Sequence, residues 1–445
     1  MNENKLPWRL GSFLPNLTFC WRCLTIGLLT LPLIPSVGAV FIAISLIFTW
    51  LNDYRLIVRL PLNWGFALLS LLFIISVGFA FNQTEALLGL FNFLPFFLVF
   101  AGFSSLIQKP SQLRYVSWIV VIASIPVVLL GWGQMFWGWT TPIHWQSICG
   151  WKIVPGGNPP GRMASVFMYA NTLASYLIMV FILGLGLWLE NYQRWRNLLS
   201  FPIRDQAKIK ICIRYIIILS AIAIANLLTL ILTNSRNAWA IALIVCLVYA
   251  IYQGWQLLVA GVVGISAAIS IAAFAPTSIA EVFRQIVPSF FWARLNDQLY
   301  PERPLALMRT TQWDFAINLT WQRPLTGWGL RNFTQLYQNQ MDVWLGHPHN
   351  LFLMLSAETG LPATLLFCGL FATIAITSIK SLRTTTLSSA YKSILFSYIL
   401  FLISLALFNT VDVSIFDFRV NVFSWVLLSC LTGISFRYKD MSKLQ

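Results

Sequence analysis

Residues 276–348 are the one long polar stretch in a chain otherwise made of apolar runs, and their six cations are all arginine: Arg284, Arg294, Arg303, Arg309, Arg323 and Arg331. The stretch closes on His347-Pro348-His349-Asn350, where the next apolar run begins. A guanidinium presents a planar, two-pronged fork that matches phosphate oxygens, whereas an ammonium is a point charge. Arginines without lysine, ending in paired histidines at a membrane surface, point to chemistry on a lipid-linked phosphate. His349 is the candidate general base. Pro348 favours an extended His347 and a helix that starts directly afterwards. His349 is then expected in the first helical turn, where free amide N–H groups disfavour its protonation and leave the imidazole able to accept a proton.

Two further segments carry candidate phosphate ligands. Thr233-Asn234-Ser235-Arg236-Asn237 reads as a tight hairpin between two spans, with Arg236 held at headgroup depth. Two readings of it stay open: a fixed phosphate ligand, or a helix cap by Asn234 or Ser235 with a snorkelling arginine. Arg309 to Trp328 reads as a helix and a turn, with Arg309, Trp313, Ile317 and Trp321 on one row and Pro324 and Gly327 as terminators. Such a helix is expected to lie along the membrane surface and carry Arg309 towards Arg236. Arg162, His347, Asn350 and Arg331 are the remaining candidate substrate-binding residues. His347 and His349 have metal-ligating side chains, but Asp342 is the only nearby acid, so neither a metal ion nor a cofactor is expected. Glu358 falls nine residues beyond His349 and faces away from it. A carboxylate at membrane depth is costly, which makes it the best argument for transport.

The elements that position these residues follow from composition. The chain of 445 residues is 58% hydrophobic and only 10% charged, against about 25% charged in soluble domains. Apolar runs of about 20 residues need a bilayer as solvent, so an all-α, polytopic membrane protein with about twelve transmembrane helices is expected. The runs fall at 17–34, 36–51, 65–81, 87–107, 115–133, 164–189, 211–232, 238–252, 256–275, 350–377, 393–411 and 418–435. Pro32 and Pro35 either split the first two helices or kink one. Such spans place 19 of the 29 cations inside and 10 outside, nine of those ten being arginine. Basic residues collect in cytoplasmic loops, so both termini are expected in the cytoplasm of an inner (plasma) membrane protein and the polar stretch outside. The net charge of +15 is then a matter of orientation, with no nucleic-acid partner. No cleavable signal pattern is visible. Seven scattered cysteines, of which only Cys149 falls clearly in an outer loop, exclude an outer disulfide framework. The expected organisation is an N-terminal bundle at 1–163, a core at 164–380 that includes the outer loop 276–348, and C-terminal helices at 381–445.

His349-Asn350, nine residues and then Gly360 resemble the signature of the O-antigen ligase superfamily, which also contains Wzy-type polymerases; Ala363 stands where that signature has Gly, Thr or Tyr. Thr233 to Arg236 is similar to the family's Thr-x-Ser-Arg hairpin, and Arg309 with Gly327-Trp328-Gly329 to its outer-loop arginine and glycine turn. The resemblance covers about residues 160–380. Glu358 to Thr364 and Asp412 to Asn421 resemble more closely a branch named for inorganic-carbon (bicarbonate) transport. The superfamily implies a metal-independent, inverting glycosyltransferase. Its donor is a polyprenyl-diphosphate-linked glycan, its acceptor a glycan or lipid, and its site lies on the outer face of the bilayer. Arg236 and Arg309 then hold the diphosphate and His349 activates the acceptor. The alternative implied by the branch is a transporter of bicarbonate or another small anion.

Overall fold

Proline at the first or second helical position opens several of the helices (residues 35, 61, 95 and 110). Its fixed φ suits the start of a helix, and its missing N–H would have had no partner there. The computed structural model describes residues 15–200, 205–295, 304–384 and 388–441. Arg303, Arg204, Lys5, Arg9 and Lys443 lie outside the described residues, as do the side chains of Arg294, Arg437 and Lys439.

Eighteen α-helices and no strand occur among the described residues. The first half comprises α1 (Pro15–Thr30), α2 (Pro35–Arg59), α3 (Pro61–Gly78), α4 (Gln83–Leu90), α5 (Leu94–Leu106), α6 (Pro110–Phe136), α7 (Ile143–Cys149), α8 (Ala170–Ser200) and α9 (Gln206–Leu232). The second comprises α10 (Arg236–Gln253), α11 (Gln256–Phe274), α12 (Thr277–Arg284), α13 (Ser289–Leu295), α14 (Arg309–Gln322), α15 (Asn332–Met341), α16 (Leu351–Thr384), α17 (Ser389–Asn409) and α18 (Phe418–Met441).

Among the described residues, eleven spans are long and apolar enough to cross a membrane, with α4 and α5 counted together. The protein is therefore an all-α polytopic membrane protein. The difference from twelve lies at the first proline pair, which splits two helices. The 16 residues of α1 rise about 24 Å, short of a hydrocarbon core of about 30 Å. The span read at 87–107 is interrupted by a turn at 91–93 between α4 and α5.

Two helices sit at the centre. In its most apolar stretch α18 is 94% buried, against 17% for the peripheral α11. α18 packs on α5 and α16, and α8 packs on α6, α9 and α17, so helices from all three sequence segments meet in the interior. Phe66, Phe97 and Phe100 surround Trp425 of α18 with ring centroids 5.2–6.0 Å away, at the edge-to-face spacing aromatic rings prefer.

The long polar loop is fastened through a break in α16. Gly360 has φ +80°, and a Cβ there would strike the backbone carbonyl of Leu325. Residues 324–329 run through this break: Leu361 N–H donates to the Pro324 carbonyl (2.7 Å), Trp328 N–H to Ala357 (3.0 Å) and Gly329 N–H to Glu358 (2.7 Å). A Cβ on Gly327 would in turn strike the Glu358 backbone. The glycine turn and Gly360, distant in sequence, are thus one close approach of two backbones. Arg323 secures the same loop, donating to the Phe79 carbonyl at 2.8 Å and lying over the Trp328 ring.

α14 forms where the pattern predicts, but the row of Trp313, Ile317 and Trp321 is not its packing face. Gln312, Phe315, Ala316, Leu319 and Thr320 are buried, with α16 the main packing partner, and Thr320 Oγ1 meets Ser356 Oγ at 3.0 Å. Trp321 stays 71% exposed, while Trp313 is half-buried and donates to the Pro348 carbonyl at 3.0 Å.

Candidate active site

The starts of α8, α10, α16 and α18 and the ends of α9 and α17 lie at one end of the bundle, as the alternation of spans requires. Asp412 sits there in the turn between α17 and α18, and its carboxylate is buried. Oδ1 lies 3.2 Å from Nδ1 of His349 and 3.9 Å from Nε2 of His347, and it accepts the Val413 N–H at 2.9 Å. Oδ2 accepts from Asn171 Nδ2 at 2.7 Å.

His349 is not in the first turn of α16, as the sequence suggested. It precedes the helix in the left-handed region (φ +52°), and the cap is Asn350, whose Oδ1 accepts from Phe352 N–H (3.0 Å) and Leu353 N–H (3.1 Å). Asn350 therefore belongs to the helix start, because its side-chain oxygen is taken up by the orphan amides there. What orients His349 is Asp412. The carboxylate oxygen can only accept, so Nδ1 carries the proton and Nε2 is left as the acceptor.

His347 has the opposite arrangement. Its Nδ1 accepts the His349 N–H at 3.1 Å, so its proton is on Nε2, facing Asp412. Burial pushes His347 down to about 4, against the opposing pull of Asp412 and with help from Arg309 and His349. Burial also opposes ionisation of Asp412, but the hydrogen bond from His349 and the two imidazoles outweigh it and hold its carboxyl below the usual range. The cluster thus sets an ionised Asp412 carboxylate beside a neutral His347 near pH 7.

Among the sequence candidates, Arg162 joins this cluster to the hairpin of Arg236. Its Nε donates to the Thr233 carbonyl at 2.9 Å and its second nitrogen to Asn171, which in turn holds Asp412. The hairpin turns through Asn234 at φ +55°, and Ser235 stands at the N-cap of α10 without a side-chain capping bond, so Arg236 opens that helix. The charge of Arg309 is felt at both His347 and Tyr169. Tyr169 is raised by burial and by Asp412, while Arg162 and Arg309 oppose the rise. Three other arginines at this end of the bundle or in the polar loop serve the scaffold: Arg284 bonds the Ala272 carbonyl, Arg323 the Phe79 carbonyl, and Arg419 bonds Asp417 and the Val166 carbonyl.

A cavity of about 960 Å³ opens beside the histidines, with Tyr169, Asn171, Arg331, His347, His349 and Asp412 in its wall; Arg162, Arg236 and Arg309 are not among its lining residues. Arg331 pairs with Glu85 at 3.3 Å. The sequence pointed to Asp342 as the acid nearest the histidines. The residue that meets them is Asp412, 63 positions beyond His349, because the turn between α17 and α18 ends beside the start of α16. One signal was present: an acid in a short turn between two apolar spans. Nothing marked Asn171.

Ligand atoms of His347, His349 and Asp412 all lie within 4.8 Å of one another, a spacing a divalent metal could span. As arranged, the set fits a metal poorly. The amide N–H on Nδ1 of His347 leaves Nε2 protonated, and a ligating imidazole needs that lone pair.

A comparison with curated proteins returned no match. Residues 219–368 match the family model Wzy_C, described as O-antigen ligase. The matched stretch runs from α9 into α16 and contains Arg236, Arg309, Arg331, His347 and His349, while Arg162, Asn171 and Asp412 come from outside it. Residues 219–368, a third of the chain, thus carry an O-antigen ligase domain, which supports a membrane glycan ligase or polymerase in general.

Proposed function

We propose that this protein transfers a glycan from a polyprenyl-diphosphate donor to a glycan or lipid acceptor at the extracytoplasmic face of the inner membrane. The observation that carries the reading is the His349–Asp412 contact of 3.2 Å, which leaves an acceptor nitrogen at a cavity wall inside the family's own domain. Nε2 of His349 takes the proton of the acceptor hydroxyl as its oxygen attacks the anomeric carbon. The bond from that carbon to the diphosphate breaks, and its electron pair leaves with the polyprenyl diphosphate. Attack opposite the leaving group inverts the anomeric centre. Arg236 and Arg309 offset the charge that develops on the diphosphate, as fixed dipoles and cations do best when they need no reorganisation. Arg162 keeps the Arg236 hairpin in register with Asn171 and Asp412. No step requires a metal ion or other cofactor.

Orientation supports the outer face, since arginine and not lysine dominates that side and basic loops favour the cytoplasm. Glu358 was the best single argument for small-anion transport. Glu358 is engaged elsewhere: its carboxylate accepts backbone N–H groups of Arg331 and Phe333, the latter at 3.2 Å, and so secures the start of α15.

The test is transfer of glycan in reconstituted vesicles. His349→Ala and Arg309→Ala are expected to abolish transfer while the protein still inserts. Arg236→Lys is expected to lower it, because the charge stays but the fork is lost. Full transfer by His349→Ala would overturn the reading. Loss of bicarbonate uptake in Glu358→Gln, with transfer absent from wild type, would favour transport.

A further inference from the structure

The cavity beyond the histidines contains a wall that the transfer step does not use. α15 buries Phe333 and Tyr337 on one side and turns Thr334, Gln335 and Gln338 to the cavity on another, opposite Glu85 and beside Trp344. Phe333 and Tyr337 stack on each other with centroids 5.3 Å apart and meet Phe315 of α14, so the polar face rests on a rigid support.

The charge of the wall decides what it takes. Its acids are Glu85, Asp412 and Asp417, each already paired: Glu85 with the wall's one guanidinium, Arg331, at 3.3 Å, Asp412 with His349 at 3.2 Å and Asp417 with Arg419 at 2.8 Å. With Arg331 taken by Glu85, no cation among the lining residues is left over for an anion, so neither a diphosphate nor bicarbonate is favoured. A neutral ligand with many hydroxyls is. Primary amides and hydroxyls both donate and accept, as sugar hydroxyls do. Gln338 is exposed and its side chain makes no hydrogen bond within the described residues. The Oε1 of Gln335 is held by Asn82 Nδ2 at 3.2 Å, which leaves its amide N–H groups to donate. Trp344 is 70% exposed at the cavity wall, where its electron-rich face suits the C–H face of a pyranose. A volume of about 960 Å³ reaches the top of the range for small-ligand sites, about 300–1,000 Å³, and exceeds what a four-atom anion needs.

We infer that Glu85, Gln335, Gln338 and Trp344 form a binding subsite for a neutral oligosaccharide segment of several sugars, which leads the glycan to His349 while the diphosphate is held apart from it. This rests on the ligase reading, but its test does not depend on turnover. The probe is the oligosaccharide released by mild acid from the host's own polyprenyl-linked glycan, with binding to the full chain in nanodiscs read by saturation-transfer NMR. Gln338→Ala and Trp344→Ala are expected to weaken binding about tenfold each, the loss of one good contact, whereas Trp321→Ala, exposed and outside the cavity lining, binds as wild type. In vesicles the same two variants raise KM for the glycan and leave kcat nearly unchanged. Unaltered binding in both variants overturns the subsite, as does failure of wild type to bind. Binding that is lost in the variants, in a wild type that transfers nothing, keeps the subsite and sinks the ligase reading. Rescue of binding by Trp344→Phe separates stacking from membrane anchoring; if Trp344→Ala acts only by lowering the amount inserted, the role of Trp344 falls.

Discussion

Nδ1 of His349 and Oδ1 of Asp412 stand 3.2 Å apart with 63 positions of chain between them. The carboxylate fixes the tautomer of the imidazole, and the left-handed backbone at His349 aims its ring. Asp412 itself is held by Asn171 and the Val413 amide, so the pair is positioned before any substrate arrives.

Asp412→Asn keeps the shape and removes the charge. Glycan transfer is expected to fall by about 10²-fold or more, the scale of a positioned general base, with little change in donor KM. Because the two residues act together, the double variant with His349→Ala should lose little more than His349→Ala alone. Losses that multiply would show that Asp412 acts independently.

Glu358 is a structural carboxylate. Glu358→Ala leaves buried backbone N–H groups at the start of α15 without an acceptor, at a cost of about 1–3 kcal/mol each. A lower Tm in detergent is expected, with glycan transfer falling in step with the folded fraction. An unchanged Tm would return Glu358 to the list of functional groups.

Gly360→Ala tests the break in α16. An alanine at φ +80° costs about 1–3 kcal/mol in backbone strain alone, and its Cβ strikes Leu325. The polar loop is expected to loosen, read as faster proteolysis between residues 304 and 348. Wild-type resistance in the variant would contradict the packing described.

Stability should depend on pH through His347. Its folded value of about 4 lies below the ordinary 6.5. Between these the unfolded chain binds more protons, so stability falls as pH drops from about 6.5 to about 4, by up to about 3 kcal/mol. Asp412, held below its usual range, adds a further loss at lower pH. His347→Gln should flatten the Tm profile between pH 6.5 and 4 and leave the drop below it.

Local pattern made much of this protein legible. Long apolar runs are readable because a bilayer demands them wherever they occur, and proline and glycine mark helix ends through their own backbone limits. Arg236, Arg309 and His349 were visible as residue types in short motifs. Two glycine signals, Gly327 and Gly360, were visible too, but not that they are one contact.

What the tertiary structure alone decided is who faces whom. Asp412 lies 241 positions beyond Asn171, which follows Arg162 by nine, and no period or spacing links it to either. Only the packing of α8, α16, α17 and α18 brings them to one end of the bundle. The same holds for Glu358, whose buried charge looked like a transport group until its backbone partners on α15 were in place. A buried polar group declares that it needs a partner; the folded chain decides which partner it has.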